Sequence, residues 1–172
     1  MQVIVSDIMD DKVLKITDRL RGQCSRREYC VRDVMQKSLK ALDGDTQAAS
    51  AVVEALKKDN YVNDRRYASA FARDKASIQG WGAVKIRYML SAKGISREDI
   101  DAALEDVDAA SSDVRLGKLL ENKFRTLKED PQCKLKMLRF ALGRGYGYDQ
   151  VAPMIDKLIK DHTDEVQEFD RY

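Results

Sequence analysis

The chain has 172 residues, of which 44% are hydrophobic and 35% charged, and its formal net charge is +2. No apolar run approaches the roughly 20 residues that cross a bilayer, which argues against a membrane-spanning protein. Three cysteines without zinc spacing and a single histidine give little basis for metal or nucleophilic chemistry, so we predict no cofactor and no catalytic site. The N-terminus lacks a secretory signal, and we expect a cytoplasmic protein with reduced thiols.

Helical periodicity runs from end to end, and straight-chain residues that favour helix dominate the composition. We predict a first helix over 12–22. Ser25 and Glu28 have the spacing of a capping box, which predicts the start of a second helix there. The turn at 43–45 then separates this helix from a third, which continues to about Asn60.

The middle of the chain predicts three more helices. Asn63 is a suitable N-cap for a fourth helix, which Gly80 ends. A fifth helix over 82–93 stops at Gly94, and Ser96 caps the sixth.

Three helices are also predicted in the remainder. A long seventh helix follows 109–112 and runs to about Lys128. Asp130 and Pro131 predict an N-cap followed by proline at the first position of the eighth helix. A ninth helix follows the glycines at 143–147. No stretch alternates at period two, so the predicted fold class is all-α.

The segments repeat at an interval of 51 residues. This shift aligns Ile86 with Met137 and Gly94 with Gly145, and each unit reads as a long helix, a basic helix, a glycine turn and a shorter helix. The predicted organisation is an N-terminal extension (1–11), three tandem three-helix repeats (12–61, 62–109 and 110–160) and an acidic C-terminal tail (161–172).

The near-neutral total hides alternating charge blocks. Residues 63–94 hold seven Lys/Arg against two Asp/Glu, and 114–144 hold nine against three, giving +5 and +6. The blocks at 95–113 and 145–172 are acidic, with one basic against seven acidic residues and three against seven. Such blocks are typical of solvated faces or of a basic track for a polyanion, and composition leaves both open.

The predicted fifth and eighth helices are basic, and they carry the strongest candidate features for contact with a partner. Cations beside an apolar face can neutralise phosphates, although long basic side chains also simply cover apolar neighbours. Tyr88 and Tyr146 could stack on bases. The glycine-rich 143–147 follows a helix rather than a strand and lacks Gly-Lys-Ser/Thr, so we interpret it as a helix end and turn.

Three sequence blocks together resemble the RecX family. They are Tyr61-Val62-Asn63-Asp64-Arg65-Arg66-Tyr67-Ala68, Gly80-Trp81-Gly82-Ala83-Val84-Lys85-Ile86 and Lys93-Gly94-Ile95. Family members carry Tyr-Leu-Asp-Asp-x-Arg-Phe-Ala, Gly-Trp-Gly-Pro-x-Arg-Ile and a Lys-Gly-Ile or similar turn. The chain departs mildly from these patterns, for example with Ala83 in place of the usual proline and Lys85 in place of arginine.

The resemblance implies an elongated, curved, non-enzymatic helical protein that regulates the RecA recombinase. Such proteins are thought to bind the RecA–DNA filament and to restrain its ATPase and strand exchange, which modulates DNA repair and recombination. The expected partners are the RecA filament and single- or double-stranded DNA, and no membrane is expected to be involved. The chain is expected to be a monomer. Two alternatives stay open: a direct DNA-binding module, and a helical adaptor for another protein.

The candidate residues divide into two groups. The candidate contacts to RecA or DNA are lysine and arginine side chains that we expect to be exposed: Arg65, Arg73, Lys85, Arg87, Lys93, Lys134, Lys136, Arg139 and Arg144. The family-motif residues are expected to be structural, with their aromatic and apolar members packed at the junction of the first two repeats: Tyr61, Asp64, Tyr67, Phe71, Gly80, Trp81, Gly82, Ile86 and Gly94.

Overall fold

The computed structural model describes the backbone of residues 2–107 and 109–169, and the side chains of residues 11–107 and 111–164. Within these residues there are nine α-helices and no β-strand, which confirms the all-α prediction. The helices are α1 (Gln2–Cys24), α2 (Val31–Ala41), α3 (Thr46–Lys58), α4 (Asp64–Ser77), α5 (Ala83–Ala92), α6 (Arg97–Glu105), α7 (Ala109–Leu127), α8 (Cys133–Gly143) and α9 (Tyr148–Phe169).

The chain divides into two compact units. Unit 1 comprises Met1–Phe71 and Leu90–Ala103, and unit 2 comprises Ala72–Met89 and Leu104–Tyr172. The division falls inside α4, α5 and α6, so these helices contribute residues to both units. The boundaries predicted for the three repeats remain a prediction.

The core of unit 1 is built mainly from α1, α2 and α3. Leu20, Val34, Val52 and Leu56 are at most 1% exposed, because each occupies the apolar stripe of its helix. The start of α3 is capped by Asp45, whose carboxylate accepts a hydrogen bond from the backbone N–H of the third helical residue at 2.9 Å.

Two boundaries in unit 1 differ from the sequence prediction. The first helix begins at Gln2 rather than Lys12, so the predicted extension is largely helical. The capping box is wrong, since the Ser25 hydroxyl donates to the carbonyl of Arg21 at 2.9 Å and α2 begins only at Val31. The serine therefore closes the end of α1 instead of opening α2.

The core of unit 2 contains a second cluster, formed by α7, α8 and α9. Leu116, Met137, Val151 and Ile155 are all fully buried in it. The eighth helix begins two residues later than predicted. The carboxylate of Asp130 accepts from the Gln132 backbone N–H at 2.8 Å, which places the proline in a turn before the helix.

Positions related by the 51-residue shift have similar environments. Gly94 and Gly145 both follow a basic helix and have left-handed φ angles of 80° and 86°. Ile86 and Met137 are both buried, as are Ile100 and Val151. The predicted tail at 161–172 continues α9 as far as Phe169, and its last three residues lie outside the described part of the chain.

Candidate functional site

The nine candidate contact cations fall in both units and in two classes of exposure. Arg65 and Lys93 belong to unit 1 and the remaining seven to unit 2. Three are half-buried: Lys85, Lys93 and Arg144. Six are exposed: Arg65, Arg73, Arg87, Lys134, Lys136 and Arg139. The half-buried cations have neighbours that constrain their side chains, whereas the exposed ones are accessible to a partner.

Lys93 makes an ion pair inside unit 1. Its ammonium lies 2.9 and 2.8 Å from the two carboxylate oxygens of Asp33, with side chains only 29% and 27% exposed. It also lies 5.7 Å from the ring centre of Tyr67. Burial acts to lower the pKa of the lysine, but bonding to Asp33 and the neighbouring charges outweigh burial, so its pKa is raised. The charge of Lys93 therefore stabilises unit 1.

Lys85 and Arg144 lie at a close backbone junction within unit 2. The N–H of Gly82 donates to the Arg144 carbonyl at 2.8 Å, and the N–H of Val84 donates to the Gly145 carbonyl at 3.0 Å. A Cβ on Gly82 would lie 2.2 Å from the carbonyl oxygen of Gly145, and a Cβ on Gly145 would lie 2.2 Å from the Cβ of Lys85. The two glycine motifs thus form one packed contact between the start of α5 and the turn after α8.

Cationic side chains cover the aromatic rings at this junction. The ammonium groups of Lys85 and Lys75 lie 4.3 and 5.0 Å from the ring centre of Trp81. The guanidinium of Arg144 lies 4.6 Å from the ring centre of Phe140. Trp81 is half-buried and not fully buried as expected for a packed residue. The alkyl chains of the two lysines cover its ring, while their ammonium groups remain near solvent.

The cations of α8 differ in their ties to neighbouring acids. Lys134 pairs with Asp156 at 2.5 Å, a hydrogen bond that raises the pKa of the lysine, and Lys136 pairs with Asp130. Surface pairs of this kind contribute little to stability, because solvent screens the attraction. Arg139 is exposed on the same helix and makes no ion pair with the described residues. An anionic partner can therefore replace the paired acids at low cost.

Comparison with known proteins assigns the family. The family described as RecX, second three-helix domain, matches residues 63–104. A regulatory protein RecX of Clostridium botulinum (strain Alaska E43 / Type E3) is 30% identical over 182 residues, covering 98% of this chain and 81% of that protein. The chain belongs to the RecX family of regulatory proteins. A RecX of Clostridium perfringens (strain 13 / Type A) is 33% identical over 165 residues, covering 92% of this chain and 75% of that protein.

Solved RecX structures share the fold. The crystal structure of a regulatory protein RecX matches with a TM-score of 0.76 at 23% identity, covering 92% of this chain and 76% of the other. RecX from Lactobacillus salivarius also gives a TM-score of 0.76, at 22% identity, covering 87% and 97%. None of the helices in the described ranges is long and apolar enough to cross a bilayer.

The first RecX block holds the start of α2 in unit 1. The carboxylate of Asp64 accepts from the backbone N–H of Val31 at 2.8 Å, which supplies the anion that a helix N-terminus favours. Arg66 donates from Nε to the carboxylate of Glu28 at 2.6 Å. Asn63 caps α4 as predicted, accepting from the Arg66 N–H at 3.0 Å. No local sequence signal marks the cap of α2, because it joins residues 33 apart.

The aromatic and apolar members of the RecX blocks are divided between the units. Tyr61, Tyr67 and Phe71 belong to unit 1, where the rings of Tyr67 and Phe71 stack at 5.9 Å. Trp81 and Ile86 belong to unit 2. The predicted packing of these residues at a repeat junction stays a prediction.

Sequence reasoning missed two cations of unit 2. Arg115 and Lys118 lie on α7, inside the block of net charge +6, and line a groove together with Arg144. Their spacing of three residues places them on one face of the helix, a signal that the charge count alone did not use.

Proposed function

We propose that the chain regulates RecA by binding the RecA–DNA filament and inhibiting its ATPase and recombinase activity, thereby modulating DNA repair and recombination. Membership of a family of regulatory proteins carries this proposal, since relatives across most of the chain's length are named regulatory protein RecX. The protein acts as a cytoplasmic monomer and as a binding protein without catalysis of its own.

The exposed cations of α8, in unit 2, form the proposed contact surface. Lys134, Lys136 and Arg139 project from α8 and can meet DNA phosphates or acidic RecA side chains, because the existing ion pairs there are weak. Arg65 and Arg73 are exposed cations of α4 and extend the candidate set. Lys93 leaves this set, since its charge is held by Asp33.

A direct DNA-binding module is the second candidate. Tyr88 is 71% exposed and lies next to Arg87 on α5, and a cation beside an exposed aromatic ring is suited to single-stranded DNA. This module would bind bare DNA with an affinity that falls steeply as salt rises. A helical adaptor for another protein would show neither DNA binding nor an effect on RecA.

The test is inhibition of the ATPase of the cognate RecA on single-stranded DNA at low salt. We expect the purified chain to inhibit, and the double variant Lys136→Glu/Arg139→Glu to need about tenfold more protein for the same inhibition, equivalent to 1.4 kcal/mol of lost contact. The matched control is Lys157→Glu/Lys160→Glu, which makes the same charge change at positions of α9 outside the proposed surface. Both variants should keep the wild-type circular dichroism.

An absence of inhibition by the wild-type chain would sink the proposal. Equal inhibition by the α8 variant and by wild type would remove Lys136 and Arg139 from the contact surface. Steep, salt-dependent binding to bare DNA without any effect on RecA would favour the DNA-binding module.

A further inference from the structure

A cationic groove lies within unit 2. Its volume is about 470 Å³, and it runs between the turn that follows α4 and one face of α7. Arg115, Lys118 and Arg144 provide three positive charges, and Ile78 and Leu119 provide aliphatic surface. None of the described residues that line the groove is acidic. The described lining residues therefore provide no negative charge that would balance the three positive ones.

The guanidinium groups in the groove have unused hydrogen-bonding capacity. The Nε atoms of Arg115 and Arg144 are buried and have no hydrogen-bond partner among the described residues. Arg144 donates instead from its Nη1 to the carbonyl of Gln79 at 3.2 Å. A buried donor without a partner is energetically unfavourable. An anionic ligand in the groove would reduce the repulsion between its like charges.

The backbone fixes the shape of the groove. Gly80 has a left-handed φ of 61°, and a Cβ there would lie 3.2 Å from Cδ1 of Leu119. The next N–H, of Trp81, donates to the Lys75 carbonyl at 3.0 Å, which closes the turn. The carbonyl of Arg144 accepts from Gly82. Hydrogen bonds therefore hold in place both the turn after α4, which lines the groove, and the segment that carries Arg144.

The lining chemistry distinguishes between two anionic ligands. Ile78 is 79% exposed at the groove, and an exposed aliphatic side chain is suited to an apolar side chain of a partner. Single-stranded nucleic acid stacks its bases on aromatic rings, but the lining residues within the described part of the chain include no aromatic side chain. Guanidinium groups bind carboxylates through paired hydrogen bonds. We propose that the groove binds an acidic peptide segment of a protein partner, with carboxylates on Arg115, Lys118 and Arg144 and an aliphatic residue against Ile78.

The experiment measures fluorescence anisotropy of a short labelled peptide of repeated Glu-Glu-Leu with the full-length chain. The comparison ligands are a Gln-Gln-Leu peptide, a Glu-Glu-Gly peptide and oligo(dT). The variants are Lys118→Glu and Arg115→Gln, with Lys160→Glu as the exposed control outside the groove. We expect binding of the Glu-Glu-Leu peptide, about tenfold weaker binding in each groove variant and wild-type binding in the control, a fold-change typical of one charged hydrogen bond.

Three results would overturn the proposal: no binding of the Glu-Glu-Leu peptide, equal binding of the Gln-Gln-Leu peptide, or equal loss of affinity in the control variant. Oligo(dT) binding that is lost in the groove variants without any peptide binding would assign the groove to nucleic acid instead. Weaker binding of the Glu-Glu-Gly peptide would support the aliphatic contact at Ile78. The experiment contains no RecA, so its result is separate from that of the ATPase test.

Discussion

Replacing Gly82 with alanine should strongly destabilise unit 2. The added Cβ would lie 2.2 Å from the carbonyl oxygen of Gly145 and 2.5 Å from the N of Tyr146, both of them backbone atoms. Neither can move aside as a flexible side chain could. The start of α5 must therefore separate from the turn after α8, which breaks the bonds from Gly82 and Val84 to that turn.

The cost follows from two contributions. Forcing a methyl group into a well-packed contact costs about 1–3 kcal/mol. Each lost backbone hydrogen bond costs about 1 kcal/mol, and alanine recovers less than about 1 kcal/mol by restricting the unfolded chain. The net loss is about 2–5 kcal/mol, which would lower the urea midpoint of a protein with an m-value of about 2 kcal/mol/M by about 1–2.5 M.

The assay is urea unfolding followed by circular dichroism, and the matched control is Gly143→Ala. Gly143 is the last residue of α8, has open space within 4 Å of the position that a Cβ would occupy, and has no left-handed φ. Alanine there should be neutral or stabilising by up to about 1 kcal/mol. A Gly82→Ala variant as stable as wild type would refute the packed junction, and equal destabilisation by both variants would show a general glycine effect instead.

Two further predictions concern buried polar groups. Lys93→Met should cost about 1–3 kcal/mol by leaving Asp33 half-buried without its partner. Because the pKa of Lys93 is raised in the folded state, its stabilisation is complete below the ordinary pKa of 10.5 and is lost as the pH rises through the folded-state pKa. The difference in unfolding free energy between the variant and wild type should therefore shrink at high pH. A difference that stays constant with pH would contradict the ion pair. Burial raises the pKa of all three thiols, so accessibility decides their relative reactivity. Cys30 and Cys133 are buried, whereas Cys24 is half-buried, so iodoacetamide at about pH 8 should modify Cys24 first, and equal rates would contradict the packing.

Short-range signals predicted most helix boundaries. Asn63 and Ser96 cap their helices through hydrogen bonds that span three residues, and Gly94 ends α5 with a left-handed φ. These features depend on neighbours in sequence, so the residue types alone reveal them. The predicted start of α2 is wrong because its cap, Asp64, comes from a distant segment.

The candidate site is predictable from the sequence only as a set of charges. The sequence shows which blocks are basic, but the role of each cation depends on residues far along the chain. Lys93 is held by Asp33, 60 residues away, and Arg144 donates to Gln79, 65 residues away. Lys118 escaped prediction because it lies on α7, outside the two basic helices. The tertiary structure therefore decides which cations form ion pairs, which line the groove and which are exposed on the surface.

The most direct test of the central proposal is the affinity of the chain for preassembled filaments of the cognate RecA on single-stranded DNA, compared with the same DNA alone. We predict that the chain binds the filament clearly more tightly than bare DNA, and that binding to the filament weakens in Lys136→Glu/Arg139→Glu. Equal affinity for the filament and for bare DNA, or no affinity for the filament, would contradict it.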